Sequence, residues 1–202
     1  MATELFDAIA AHDMVRLTEA LAAGADANAL AADAVAWRPL HAAVEELEHG
    51  GPLAALPLLL RHGAAVDGWD GRRQATPLLM ALFRGQGDAA RLLLEAGADP
   101  NVVGAEGDTP LRWCVEQGDC EMAALLLGAG AARSMDEAGG PSGVTALGRA
   151  ASRIDVTMLK LLLAAGADPA ALDADHLTAR QRLSRTTGTD PAAWAAAAAL
   201  LG

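Results

Sequence analysis

Residues 76–99 read TPLLMALFRGQGDAARLLLEAGAD, and this stretch decides the fold. Thr76 has the character of a helix N-cap, because its hydroxyl oxygen can accept from a backbone N–H in the first turn. Pro77 follows at the first helical position, where its missing N–H costs nothing. A short apolar helix then runs to Gly85, which ends it because glycine takes the left-handed conformation cheaply. A second helix carries Leu92, Leu93 and Leu94, and Gly97 closes it in the same way.

The stretch recurs. Residues 109–132 read TPLRWCVEQGDCEMAALLLGAGAA, and residues 145–168 read TALGRAASRIDVTMLKLLLAAGAD. All three align without a gap, with Thr-to-Thr spacings of 33 and 36. Looser copies begin at Thr3, Arg38 and Thr178. Thr3 leads to Gly24, Ala25 and Asp26; Arg38, Pro39, Leu40 and His41 lead to Gly63 with four extra residues. One such unit cannot bury both faces of its Leu-rich helix, whereas a stack of them can. The expected units span about 3–35, 36–73, 74–106, 107–142 and 143–175, with a C-terminal cap at 176–202, in a single domain across 1–202.

The order Thr-Pro-Leu-His, then Gly, then Leu-Leu, then Gly-Ala-Asp resembles the ankyrin repeat, from residue 3 to about 187. The resemblance implies an all-α ankyrin-repeat solenoid of about six helix-turn-helix units with hairpin-like loops, capped at both ends. The composition agrees, since Ala and Leu dominate and are good helix formers. The position of the family's histidine is filled by Phe6, His41, Leu79, Arg112 and Gly148, so a His-mediated link between neighbouring loops is expected only at His41. An insertion at 46–53, with Pro57 after it, predicts a lengthened inter-helix loop and Pro57 in a first helical turn. Residues 134–143 predict a longer hairpin. In the cap, Arg180, Arg182 and Arg185 are expected to face solvent. Asp190 is expected to cap a last helix that turns Trp194, Leu200 and Leu201 inward.

The formal net charge is -11, and the acidity is spread along the chain: 14 acids and 7 bases in 1–100, 12 acids and 8 bases in 101–202. An acidic surface repels phosphate backbones and anionic lipid, so the expectation is no nucleic acid, no membrane, and a preference for a basic protein. Fourteen arginines against the single Lys160 suggest a GC-rich bacterial coding sequence. The first 17 residues have no basic segment followed by an apolar one, and the longest apolar stretch, 191–201, is too short to span a bilayer. A cytoplasmic location is expected, with Cys114 and Cys120 reduced, buried and inert.

No grouping of residues points to catalysis. His12, His41, His49, His62 and His176 have no metal-ligand spacing with each other or with the cysteines. No Gly-rich stretch is followed by Lys-Ser or Lys-Thr, and residues 67–71 lack the further oxygen ligands of a calcium loop. The expectation is therefore no enzyme, no cofactor, no metal and no small-molecule substrate.

The resemblance implies instead that a partner protein is bound by hairpin tips and by the concave face of the first helices. At the tips this selects Trp37, Trp69, Arg72 and Arg73, with Glu106 and His176 near them. On the helix face it selects Glu45, Glu46, Phe83, Arg84, Arg112, Trp113, Glu116 and Arg153, with Met80, Gln117 and Arg149 as neighbours. Trp and Arg are the residues most enriched at binding hot spots, and exposed Trp is costly for solubility. The expected function is a protein-binding module, monomeric by itself. The alternative is an immunity protein or antitoxin that inhibits a toxin enzyme by tight binding.

Overall fold

A computed structural model describes residues 2–32, 36–72, 74–105, 107–140, 142–184 and 190–202. The described residues form α-helices, two short 3-10 turns and one isolated bridge, Gly139 with Val144. The chain divides into unit 1, Met1–Asp99, and unit 2, Pro100–Gly202.

Unit 1 contains α1 (Ala2–Ala10), α2 (Met14–Ala22), α3 (Pro39–Glu46), α4 (Ala55–Arg61), α5 (Pro77–Phe83) and α6 (Gly87–Glu95). The first helices α1, α3 and α5 pack in one layer, and the second helices α2, α4 and α6 in another. Leu5, Leu17, Leu40, Leu56, Leu59, Leu78, Leu79 and Leu93 are fully buried between them. Each such leucine stabilises the stack by about 1.5–3 kcal/mol relative to an exposed one. Unit 2 repeats the arrangement with α7 (Pro110–Gln117), α8 (Cys120–Gly128), α9 (Ala146–Ser152), α10 (Val156–Ala164), α11 (Ala179–Ser184) and α12 (Pro191–Leu200). Here α7, α9 and α11 form one layer, α8, α10 and α12 the other, and Leu111, Leu126, Leu147 and Met158 fill the core.

The caps follow the repeat. Thr76, Thr109 and Thr145 are buried, and their hydroxyls accept from the N–H of Leu79, Arg112 and Gly148. Thr178 extends the theme: its hydroxyl accepts from Gln181 N–H, while Gln181 Oε1 accepts from Thr178 N–H, a reciprocal capping box. Thr3 differs from the other repeat-opening residues, because it lies inside α1 and does not precede it. The second helices have caps of their own at Asp13, Asp119 and Asp155, whose carboxylates accept first-turn amides. Gly85 and Gly118 end their helices with φ of 67° and 74°, and His12 and Ile154 take the same left-handed turn at the equivalent position, with φ of 55° and 54°. A β-branched residue is rare in that region, so Ile154 stores strain there.

Neighbouring repeats are also tied by side chains that follow the second-helix glycine, four residues on at Asn28, Asp67 and Asn101 and six residues on at Asp136. Asn28 accepts from Ala65 N–H and donates to Gly63 O, and Asp67 accepts from Asp99 N–H. In unit 2, Asn101 donates to Gly130 O, and Asp136 accepts from Asp168 N–H.

The insertion forms a 3-10 turn, Leu47–His49, before α4, and Pro57 sits in the first turn of α4. At the C-terminal end, Asp190 caps α12 by accepting from Ala192 N–H; Trp194 is half-buried and Leu201 buried. Two arginines expected in solvent are instead engaged within the chain. Arg182 bonds Asp173 and Asp175, and Arg180 donates to Ala198 O. Arg185 lies outside the described residues. Both cysteines are free, but only Cys114 is buried; Cys120 is half-buried.

Candidate functional site

In unit 1 the hairpins are built from backbone bonds and then stitched together. Trp37 O accepts from Ala31 N–H at 2.8 Å, closing the first hairpin. Gly71 N–H donates to Ala36 O at 2.8 Å, joining the second hairpin to it. Arg38 reinforces the joint, with Nε donating to Trp69 O at 2.7 Å and Nη1 to Asn28 O at 2.5 Å. Asp70 is buried and turns the second hairpin by accepting from the amides of Arg72 and Gln74, which leaves Arg72 exposed at the tip. Trp37 and Trp69 are each half-buried, where exposed rings were expected. Arg73 and Glu106 lie outside the described residues.

His41 is fully buried, and its Nε2 donates to Ala75 O at 3.1 Å in the following hairpin. Burial holds the imidazole below its ordinary pKa, against the opposing pull of the Ala75 bond, so the ring is neutral at pH 7.

The first-helix face of unit 1 carries charges in contact. Arg84 Nη2 lies 2.8 Å from Glu45 Oε2 and Nη1 lies 3.5 Å from Glu48, a pairing that bridges the ends of α5 and α3. Glu46 Oε2 lies 2.9 Å from His12 Nε2 and 4.0 Å from His49 Nδ1. Such partly exposed pairs contribute at most about 1 kcal/mol, so their value lies in placing charge and not in stability. Phe83 stands beside them with 39% of its surface exposed.

In unit 2, Arg112 corrects the expectation of a partner-facing cation. It is 8% exposed, its Nη1 donates to Gly107 O at 2.6 Å, and its Nη2 donates to Glu137 O at 3.2 Å. It therefore ties its own hairpin to the next, the task His41 performs in unit 1, and it does so at the same repeat position. The guanidinium lies flat enough against the following hairpin that a Cβ on Gly139 would come 2.6 Å from Nη2. Trp113 is half-buried, and Glu116 Oε2 lies 2.6 Å from Arg149 Nε. Asp108, Arg112, Trp113, Glu116, Ser142, Val144 and Arg149 line a shallow groove between α7 and α9. Gln117 and Arg153 are exposed at the ends of their helices.

The site can present charge and apolar surface, and it shows no chemical machinery among the described residues. No group of three or more His, Cys, Asp or Glu among them could hold a metal ion. Burial pushes the Cys114 thiol up to about 12, so it carries no thiolate. No described helix is long and apolar enough to cross a membrane.

Arg149, expected on the helix face, pairs with Glu116, whereas sequence reasoning missed the apolar hairpin residues. Leu30, Val103 and Leu172 are exposed, and each lies six residues after a second-helix glycine. Trp69 has the same offset from Gly63, and this shared offset was the available signal.

The family model for ankyrin repeats (3 copies) matches residues 5–104, and that for ankyrin repeats (many copies) matches residues 88–127. No curated protein matches the chain. Among solved structures, an ankyrin repeat domain from Acinetobacter baumannii AYE is similar with a TM-score of 0.80 and 26% identity, over 98% of this chain and 95% of that one. The ankyrin repeat protein EF0377 is similar with a TM-score of 0.78 and 21% identity, over 100% of this chain and 97% of that one. A chain from the complex of a Bdellovibrio bacteriovorus predatory endopeptidase with an immunity protein has a TM-score of 0.73 and 23% identity, over 98% of this chain and 96% of that one.

Proposed function

This chain belongs to the ankyrin repeat family, and from that premise we propose that it is a non-catalytic module of the bacterial cytoplasm, monomeric by itself, that holds a partner protein through its hairpin tips and the exposed faces of its first helices. The observation that carries this reading is the end of α5. Phe83, a large ring with 39% of its surface exposed, stands directly beside Arg84, whose guanidinium is already oriented by Glu45 and Glu48. An exposed aromatic next to a pre-positioned arginine is the composition of a binding hot spot. Trp37, Trp69, Arg72, Glu46, Trp113, Glu116 and Arg153 extend the contact in their own units, and Arg112 supports it from beneath.

The test is isolation of the tagged chain from its native host, side by side with Phe83→Ala/Arg84→Ala. The wild type is expected to carry a stoichiometric protein partner. The double variant, with unchanged helicity, is expected to lose it. A wild type that emerges alone, or a variant that keeps its partner, contradicts the reading.

A second reading is an immunity-type inhibitor that blocks a toxin enzyme. The net charge of -11 favours it, because a strongly acidic surface steers fast association with a basic target. The fold is shared with a chain from a complex that includes an immunity protein, a likeness that supports the architecture. A host partner that is an enzyme, inhibited one-to-one by the purified chain, supports this reading; a non-enzymatic partner removes it.

A further inference from the structure

Charge in the second half of the chain is sorted by position. The inter-repeat segments 101–109, 130–145 and 166–178 hold seven acids against one base, Arg133, a net -6. The remainder of 101–202 holds five acids and seven bases, a net +2. Counting Arg112 and Arg182 with the hairpins they bond still leaves those segments at -4. In unit 1 the corresponding segments 24–38, 63–76 and 97–99 hold five acids and three bases, only -2. The acidic hairpin edge is thus a property of unit 2.

That edge is continuous. Gly140 N–H donates to Gly107 O at 3.2 Å, and Ala174 N–H donates to Gly143 O at 2.9 Å, so backbone bonds join the three hairpins in order. Two large apolar side chains stand out of it. Val103 is 52% exposed and Leu172 is 53% exposed, each six residues before the threonine that opens the next first helix. The middle hairpin places Glu137 and Ala138 in solvent between them.

We propose that the hairpin edge of unit 2 docks a basic segment of the partner protein, one whose apolar side chains cover Val103 and Leu172 while its Lys or Arg residues face the acidic rim. The proposal rests on the protein-binding reading above and adds the chemistry of the occupant. Charge complementarity selects it: a contiguous edge with net negative charge repels nucleic acid and acidic protein, and it draws cationic residues within a Debye length of about 8 Å. Burial of the two apolar side chains supplies the part of the affinity that salt does not screen.

The experiment uses the full chain, isotope-labelled, titrated with a short peptide of alternating Arg and Val and with a Glu and Val control. Saturable amide shifts are expected within 102–108, 137–144 and 170–176 for the basic peptide alone, weakening as salt rises. Val103→Ser/Leu172→Ser should weaken binding about fivefold or more. Shifts of equal size on the unit 1 hairpins, unchanged affinity in the double variant, or self-association that the same variant abolishes would each overturn the proposal. In the native host, a partner lost by Phe83→Ala/Arg84→Ala but kept by Val103→Ser/Leu172→Ser sinks this proposal and leaves the protein-binding reading standing. A wild type with no partner overturns both.

Discussion

Arg182 Nε lies 2.5 Å from Asp173 Oδ2, a carboxylate side chain only 1% exposed. The other end of the guanidinium bonds Asp175 at 2.6 Å, and Asp173 Oδ1 takes the amides of Asp175 and Leu177. One side chain of α11 therefore pins the last hairpin to the cap. Arg182→Ala leaves a buried carboxylate without its cation and should cost about 2 kcal/mol or more, read as a lowered thermal midpoint. Burial works against the Asp173 charge, but the bonds from Arg182 and the two amides outweigh it and hold the carboxyl below its ordinary pKa. The folded value thus lies below the unfolded one. The resulting stability is present above the ordinary carboxylate value, about 4, and is lost as pH falls through the folded value. Asp173→Asn should flatten the melting curve's dependence on pH in that acid range.

His41 predicts a second, separate pH effect. Its folded-state pKa is lowered, so its contribution is complete above the unfolded value of about 6.5 and declines as pH falls below it. His41→Leu places at this position the residue type the next repeat uses, Leu79. The variant should stay within about 1–2 kcal/mol of wild type at pH 8 and lose less stability than wild type between pH 7 and pH 5. Chemical denaturation at the three pH values checks this.

Gly85 isolates the cost of backbone conformation. Its φ is 67°, and a Cβ there would meet nothing within 4 Å. Gly85→Ala should therefore destabilise by about 1 kcal/mol through strain alone, and Gly85→Asn by less. A loss several times larger in urea titration would mean a hidden clash.

The arginines separate by role. Arg112→Ala removes two hairpin-linking bonds from a buried site and should cost about 2–3 kcal/mol. Arg84→Ala and Arg153→Ala, both at exposed positions, should change stability by about 0.5 kcal/mol or less. Calorimetry on the three variants checks the order.

The repeat register was legible because Thr76, Thr109 and Thr145 each combine a cap hydroxyl with a fixed distance to a glycine. Helix ends without glycine were harder to see. His12 and Ile154 occupy the left-handed position without a glycine, and a β-branched residue such as Ile154 gives no sign of it in its type. The burial of Arg112 was hidden for a related reason. A charged residue at the position of a buried histidine reads as exposed until its own hairpin and the following one each supply a carbonyl to receive it. Trp37 and Trp69 are half-buried in hairpins that are joined by backbone and Arg38 bonds, a joining that neither segment encodes alone. Exposure of Phe83 and Arg84 was legible, since both follow the buried stripe of α5 at the helix end.

The most direct test of the central claim is the amount of partner protein retained by the wild-type chain and by Phe83→Ala/Arg84→Ala, purified from the native host at matched helicity and thermal midpoint. A partner bound one-to-one by the wild type and absent from the variant is the predicted result. Equal retention by both chains, or no partner with either, would contradict the account.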